Sequence, residues 1–177
     1  WVDLSRYGDE PILVSWVSWS PDGRQLLLQV QDRAQTWLDL VSTDPAGKNP
    51  RVLFRDQTPA WIESPGEPYW RSDGSFLWLS PRDGYRHVYL YGPDGKLRKQ
   101  LTEGDWEVRD LLAFDAPQDR LYFSSAREAA YNLHVYRLDV KTGEIQQLTA
   151  GEGTHSAKFS DDARFFIDSH STLNHPD

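Results

Sequence analysis

The 177-residue sequence contains no cysteine and no methionine. Without cysteine there are no disulfides, no thiolate metal sites and no cysteine nucleophile. Without methionine, and with Trp1 in first place, the chain reads as a processed product or an excised piece of a longer protein. Long apolar runs are missing too. No stretch approaches the roughly 18 residues that a membrane-crossing helix needs, so no membrane span is expected. Positive charge is also in short supply: 27 acidic residues face 19 Lys and Arg, for a formal net charge of −8. The arginines are scattered, most of them near an Asp or Glu. That excludes the basic face with which nucleic-acid binders neutralise phosphate, and any polybasic membrane anchor. Apolar spacing of 3.6 is nowhere sustained over ten residues, so no helix is expected.

What is present is aromatic and periodic. Eight Trp, eight Tyr and seven Phe make up 13% of the chain, which excludes disorder as its main state. Trp16-Val17-Ser18-Trp19 runs through the turn Ser20-Pro21-Asp22-Gly23 into Leu26-Leu27-Leu28. The pattern returns at Tyr69-Trp70-Arg71-Ser72-Asp73-Gly74 before Phe76-Leu77-Trp78. It returns more loosely at Phe114 to Phe123 and at Phe159 to Ile167. Measured from Trp19 through Trp70 and Phe114 to Phe159, the steps are 51, 44 and 45 residues. Each repeat then closes with a second pair of alternating runs. Val88-Tyr89-Leu90-Tyr91 leads through Gly92-Pro93-Asp94-Gly95 to Leu101-Thr102, and His134-Val135-Tyr136 leads through Thr142-Gly143 to Leu148-Thr149. These are hairpin signatures.

Four short strands per period of about 40–50 residues define a propeller blade. The expected fold is therefore all-β: a partial β-propeller of about three four-stranded antiparallel blades plus the start of a fourth. The blades are expected at residues 10–55, 66–103, 108–150 and, incomplete, 155–177, as a fragment of one domain. Trp1-Val2-Asp3-Leu4 reads as an incoming strand or linker. An open ring leaves blade edges bare, so homo-oligomerisation through them is expected.

No chemistry of its own is written into the chain. There is no Gly-x-Ser-x-Gly nucleophile elbow and no phosphate loop. The five histidines form no zinc pattern. His170 and His175 are read as exposed loop residues. Asp115, Asp119, Asp161 and Asp162 suit Asx turns rather than a calcium loop. No cofactor and no metal are expected. Residues 57–68 stand out as a long connection between the first two blades, with three prolines, Trp61 and Glu63. Loops of this kind carry function on propellers, so Trp61 and Glu63 are the candidates for facing a substrate.

The stretch Gly84-Tyr85-Arg86-His87-Val88-Tyr89, followed by Leu101-Thr102-Glu103-Gly104-Asp105-Trp106-Glu107-Val108, is the most specific combination. It resembles the later blades of the N-terminal propeller of the dipeptidyl peptidase IV family, in the prolyl oligopeptidase clan of serine peptidases. Glu67-Pro68-Tyr69-Trp70 and Ile167-Asp168-Ser169-His170 resemble that family as well. The resemblance implies a propeller that walls a cavity and gates peptide access to a hydrolase domain of the same parent chain, which removes dipeptides from peptide N-termini. It implies that the triad and the Glu pair that holds the substrate amine lie outside these residues, since the chain contains no Glu-Glu. Gly84, Tyr85, Arg86, His87 and Trp106 are expected to be structural. His87 would bond within its blade, Arg86 would grip carboxylates or carbonyls of the next, and Trp106 would fill the space between blades. A stand-alone TolB-like or WD40-like propeller that holds proteins is the alternative. A bacterial cytoplasm or periplasm fits the absence of cysteine.

Overall fold

A computed structural model describes residues 1–173. It contains four antiparallel sheets. The first has the order β1 (Ile12–Trp19), β2 (Leu26–Asp32), β3 (Trp37–Thr43), β4 (Arg51–Gln57). The second runs β5 (Tyr69–Trp70), β6 (Phe76–Ser80), β7 (His87–Tyr91), β8 (Leu97–Gln100). The third runs β9 (Val108–Asp115), β10 (Arg120–Ser125), β11 (His134–Asp139), β12 (Ile145–Gln147). A two-stranded sheet of β13 (Thr154–Phe159) and β14 (Phe166–Ser171) follows. The sheets are those of a partial β-propeller: three four-stranded blades and the start of a fourth. Residues 1–84 with 90–99 form one compact unit, and residues 85–89 with the described residues from 100 onward a second.

The turn between the first two strands of each sheet needs one residue with positive φ. Gly23 (66°) and Gly74 (79°) supply it in the first two blades. Asp119 (58°) and Ala163 (54°) hold the same slot in the other two. The looser copies of the repeat therefore keep the backbone shape after losing the glycine that advertises it.

In the first unit, the faces of the first sheet follow from register, because residues paired across strands share a face. Leu28, Val41 and Val52 form one row, and Val30, Asp39 and Arg55 the next. This face packs against the N-terminal segment. Tyr7 joins Leu28, Val30, Trp37 and Val41 in a buried cluster, with Val2, Leu4, Ile12, Leu26 and Val52 against it. Tyr7 stacks on Trp37 with ring centres 5.7 Å apart. Its hydroxyl donates to Asp39 Oδ2 at 2.9 Å, and burial with that carboxylate pushes the phenol pKa up. Arg55 holds Asp39 through two hydrogen bonds, 2.6 and 2.8 Å, and lies over the Trp37 ring. Trp1 to Leu4, read from sequence as a strand or linker, forms no strand. A single 3-10 turn, Ser5–Tyr7, follows it. On the same face Val17 and Trp19 of β1 stay about half exposed.

The opposite face carries Gln29-Leu40-Phe54 and Gln31-Leu38-Asp56. Phe54 stacks on Tyr91 at 4.1 Å and meets Trp78 edge-on at 5.3 Å. Asp56, 2% exposed, accepts from Trp78 Nε1 at 2.7 Å, Ser80 Oγ at 2.9 Å and Arg82 Nη2 at 2.5 Å. Arg82 also reaches the Tyr91 hydroxyl, and burial pushes the Tyr91 phenol up to about 12. Arg55 and Asp56 are neighbours in sequence, yet they serve opposite faces, as the two-residue period of a strand requires.

Gly95 sits against Leu53 with φ of 77°. A Cβ there would lie 2.6 Å from Leu53 Cβ and 2.9 Å from Leu53 Cα. Gly95→Ala combines this overlap with a left-handed backbone, and is expected to cost about 2–3 kcal/mol. Urea unfolding measures the loss. A change below about 1 kcal/mol would show that the turn can move aside.

In the second unit the core is built by Val108, Leu121, Phe123, Val135, Tyr136 and Leu138, all nearly sealed from solvent. Phe123 stacks on Tyr136 at 5.4 Å, and Tyr122 packs on Phe159 at 4.6 Å.

Candidate functional site

The connection from β4 to β5 is fastened at several points to the first sheet. Thr58 N donates to Thr36 O at 3.1 Å, and Ile62 N to Gln35 O at 2.7 Å. One side chain, Gln29, holds the loop twice: its Nε2 donates to Gly66 O at 2.5 Å, and its Oε1 accepts from Ser64 Oγ at 2.5 Å. Ile62 is the apolar peg, 2% exposed. Seating Ile62 inward turns its neighbours outward. Trp61 is 62% exposed and Glu63 is exposed beside it. A tethered indole in water offers a flat apolar surface and one N–H donor, and the adjacent carboxylate adds a charge for an amine. At the far end of the loop, burial and then Glu67 push the Tyr69 phenol pKa up. Gln31 lies on the same face of β2 as Gln29. It is 1% exposed, and neither polar atom of its side chain has a partner among the described residues.

Most of the Gly84–Trp106 motif belongs to the second unit. Gly84 closes the turn before β7, its N–H donating to Pro81 O at 3.0 Å, with φ of 97°. Tyr85 follows, 44% exposed. Arg86 Nη2 donates to Arg109 O at 2.7 Å, and Arg86 Nε lies 3.8 Å from Glu107 Oε2. His87 is 2% exposed. Its Nε2 meets Gly104 O at 3.0 Å, and its Nδ1 meets Thr102 Oγ1 at 3.0 Å. That hydroxyl already accepts from Val88 N at 2.9 Å, so its own proton points to Nδ1 and the imidazole proton sits on Nε2. Trp106 is half-buried. It meets His87 edge-on at 5.2 Å, stacks on Phe123 at 6.2 Å and has the Arg127 guanidinium 5.1 Å from a ring centre.

The third sheet repeats the histidine device. His134 Nδ1 faces Thr149 Oγ1 at 3.2 Å, and Val135 N donates to that hydroxyl at 3.0 Å. The same 15-residue separation links His87 to Thr102 and His134 to Thr149. This is the physical content of the recurring His-Val-Tyr and Leu-Thr pairs.

Trp61 and Glu63 thus share one tethered loop, while Tyr85, Arg86, His87 and Trp106 converge in the second unit. Sequence reasoning did not find Gln29, Ser64 or Arg127. A Gln-x-Gln step in the otherwise apolar β2 was the available signal for Gln29; nothing local marked the other two. His170, read as a loop residue, lies on strand β14. His175 falls outside the described residues. Among the described residues no group of three or more His, Asp or Glu is arranged to hold a metal, and no helix is long and apolar enough to cross a membrane.

Four-stranded sheets in series with a tethered connecting loop define a β-propeller segment, and solved structures share it. The chain superposes on the crystal structure of Porphyromonas gingivalis dipeptidyl peptidase 4 with a TM-score of 0.84, covering 93% of this chain and 24% of that one, at 24% identity. At that identity the likeness is one of fold. The sequence goes further: residues 1–177 match the family described as the dipeptidyl peptidase IV (DPP IV) N-terminal region, and the chain belongs to it. Dipeptidyl aminopeptidase B of Saccharomyces cerevisiae is 30% identical over 171 residues, which is 89% of this chain and 21% of that protein. Dipeptidyl peptidase 4 of Trichophyton equinum is 26% identical over 187 aligned positions, 99% of this chain and 24% of that protein. The chain therefore spans less than a quarter of the length of these relatives.

Proposed function

We propose that the chain is the propeller portion of a dipeptidyl-peptidase-IV-like serine exopeptidase. It walls the cavity through which peptides reach a hydrolase domain in the same parent chain. The match of all 177 residues to the family carries this reading. The sequence holds no nucleophile elbow, so bond cleavage belongs to the hydrolase domain and the propeller contributes access and positioning. In this reading Trp61 and Glu63 face the peptide. Ile62, Gln29 and Ser64 keep them there, and Arg86, His87 and Trp106 brace the second unit.

The full-length protein is expected to release dipeptides from peptide N-termini. Trp61→Ala in that protein is expected to lower kcat/KM about tenfold for a peptide of several residues. Its thermal midpoint should stay within about 2 °C, because the exposed indole contributes little to the core. A full-length protein that releases no dipeptides sinks the peptidase reading. An active enzyme with unchanged kcat/KM in the variant sinks only the role given to Trp61.

A further inference from the structure

Three imidazoles lie in a row in the second unit. His134 of β11 and His155 of β13 have ring centres 5.0 Å apart, at 29° between planes. His155 and His170 of β14 are 4.3 Å apart and nearly parallel, at 9°. His134 and His155 are 4% and 3% exposed; His170 reaches the surface.

The hydrogen bond of His134 suits its neutral form. Thr149 Oγ1 accepts from Val135 N, so its proton points to His134 Nδ1 and leaves that nitrogen an acceptor. His155 Nδ1 donates to Asp168 Oδ2 at 2.7 Å. Its Nε2 is buried without a partner among the described residues. His170 Nε2 donates to Glu152 O at 2.7 Å.

The row crosses three strands. Backbone contact between β11 and the β13–β14 hairpin runs through Leu133, whose N–H donates to Gly153 O at 3.0 Å and whose carbonyl accepts from His155 N at 2.8 Å. The rings extend that seam across the hairpin. Asp168 of β14 and Glu128 of the β10–β11 connection are the acids that favour a charged ring, while the rings oppose charge on one another. Glu152 contributes its carbonyl, and Arg109 of β9 lines a small hollow with Leu133 and Thr154. Glu152, Thr154 and Ser171 also wall a hollow of about 520 Å³, so a shift of the hairpin reshapes it.

We propose that the His134–His155–His170 row is an acid-sensitive clasp that holds the β13–β14 hairpin on β11 while His134 is neutral and loosens as His134 takes up a proton. Burial, and then the charge of His155, lower the pKa of His134 below 6.5. A lowered histidine pKa means that the unfolded or opened state binds more protons. The stability contributed is complete above about pH 6.5 and is lost as pH falls below it.

Hydrogen exchange of the full-length protein at about pH 7.5 and about pH 5.5, corrected for intrinsic rates, tests this. Protection of β13 and β14 is expected to fall about tenfold more than that of β2 and β3. The double variant His134→Phe, His170→Phe keeps an aromatic row that cannot titrate at either end, and should lose most of that selective fall. A uniform response in the wild type, or an undiminished selective fall in the variant, overturns the clasp. Should the variant not fold, NMR titration of the wild type decides: His134 must titrate below the ordinary histidine range, and titration at or above it overturns the proposal.

Discussion

Asp56→Ala is expected to lower the stability of the chain by about 3–5 kcal/mol. The carboxylate is 2% exposed and is the common acceptor of an indole N–H, a hydroxyl and a guanidinium. Truncation removes more than one attractive contact. It leaves the Trp78 Nε1–H and the Ser80 hydroxyl proton without their acceptor, and it takes from Arg82 the carboxylate that offsets its partly buried charge. Asp56→Asn, which keeps one accepting oxygen, should lose less. Urea unfolding followed by tryptophan fluorescence reads both. A loss of less than about 1 kcal/mol in Asp56→Ala would mean that water satisfies these donors and that the network is peripheral.

Phe76→Ala is expected to cost a comparable amount, about 3–5 kcal/mol, for a different physical reason. Phe76 is fully sealed from solvent and lies among Trp70 at 5.1 Å, Tyr91 at 5.4 Å and Phe54 at 6.4 Å. Those rings belong to several strands and cannot close on the space together, so the variant keeps a cavity as well as losing transfer energy. Phe76→Leu fills most of that space and should cost under about 2 kcal/mol. If the alanine and leucine variants unfold at the same urea concentration, the cavity account is wrong.

The period of the fold was legible because it is local. Turn residues at fixed offsets, with alternating runs on either side, announce a blade wherever Gly23 or Gly74 supplies the positive φ. It remained legible at Asp119 and Ala163 chiefly through the flanking Phe114 and Phe159, since alanine does not advertise a left-handed backbone and aspartate does so less than glycine. The Trp61 loop could be found as an insertion rich in proline. What holds it could not: Gln29 reaches Ser64 and Gly66 over separations of 35 and 37 residues, and such pairings depend on how strand faces meet. Arg127 over Trp106 belongs to the same class. The histidine row was hidden for a related reason. Its rings come from three strands, and His170 taken alone has the look of a polar residue near a ragged end.

The register of β4 holds one more consequence. Leu40 pairs with Phe54, and Val41 with Val52, so Leu53 is an extra residue in the ladder. That single supernumerary residue shifts the phase of the strand. It lets Val52 join the Tyr7–Trp37 cluster while Phe54 two positions later points the other way. Deleting Leu53 would set Val52 directly before Phe54, opposite Val41 and Leu40, so every pairing would keep its present face and only the local bend would be lost. Deleting the paired Arg55 instead would bring Asp56 opposite Asp39, on the Tyr7 side and away from Trp78 and Ser80. The strand should accordingly tolerate the loss of Leu53 far better than the loss of a residue it pairs.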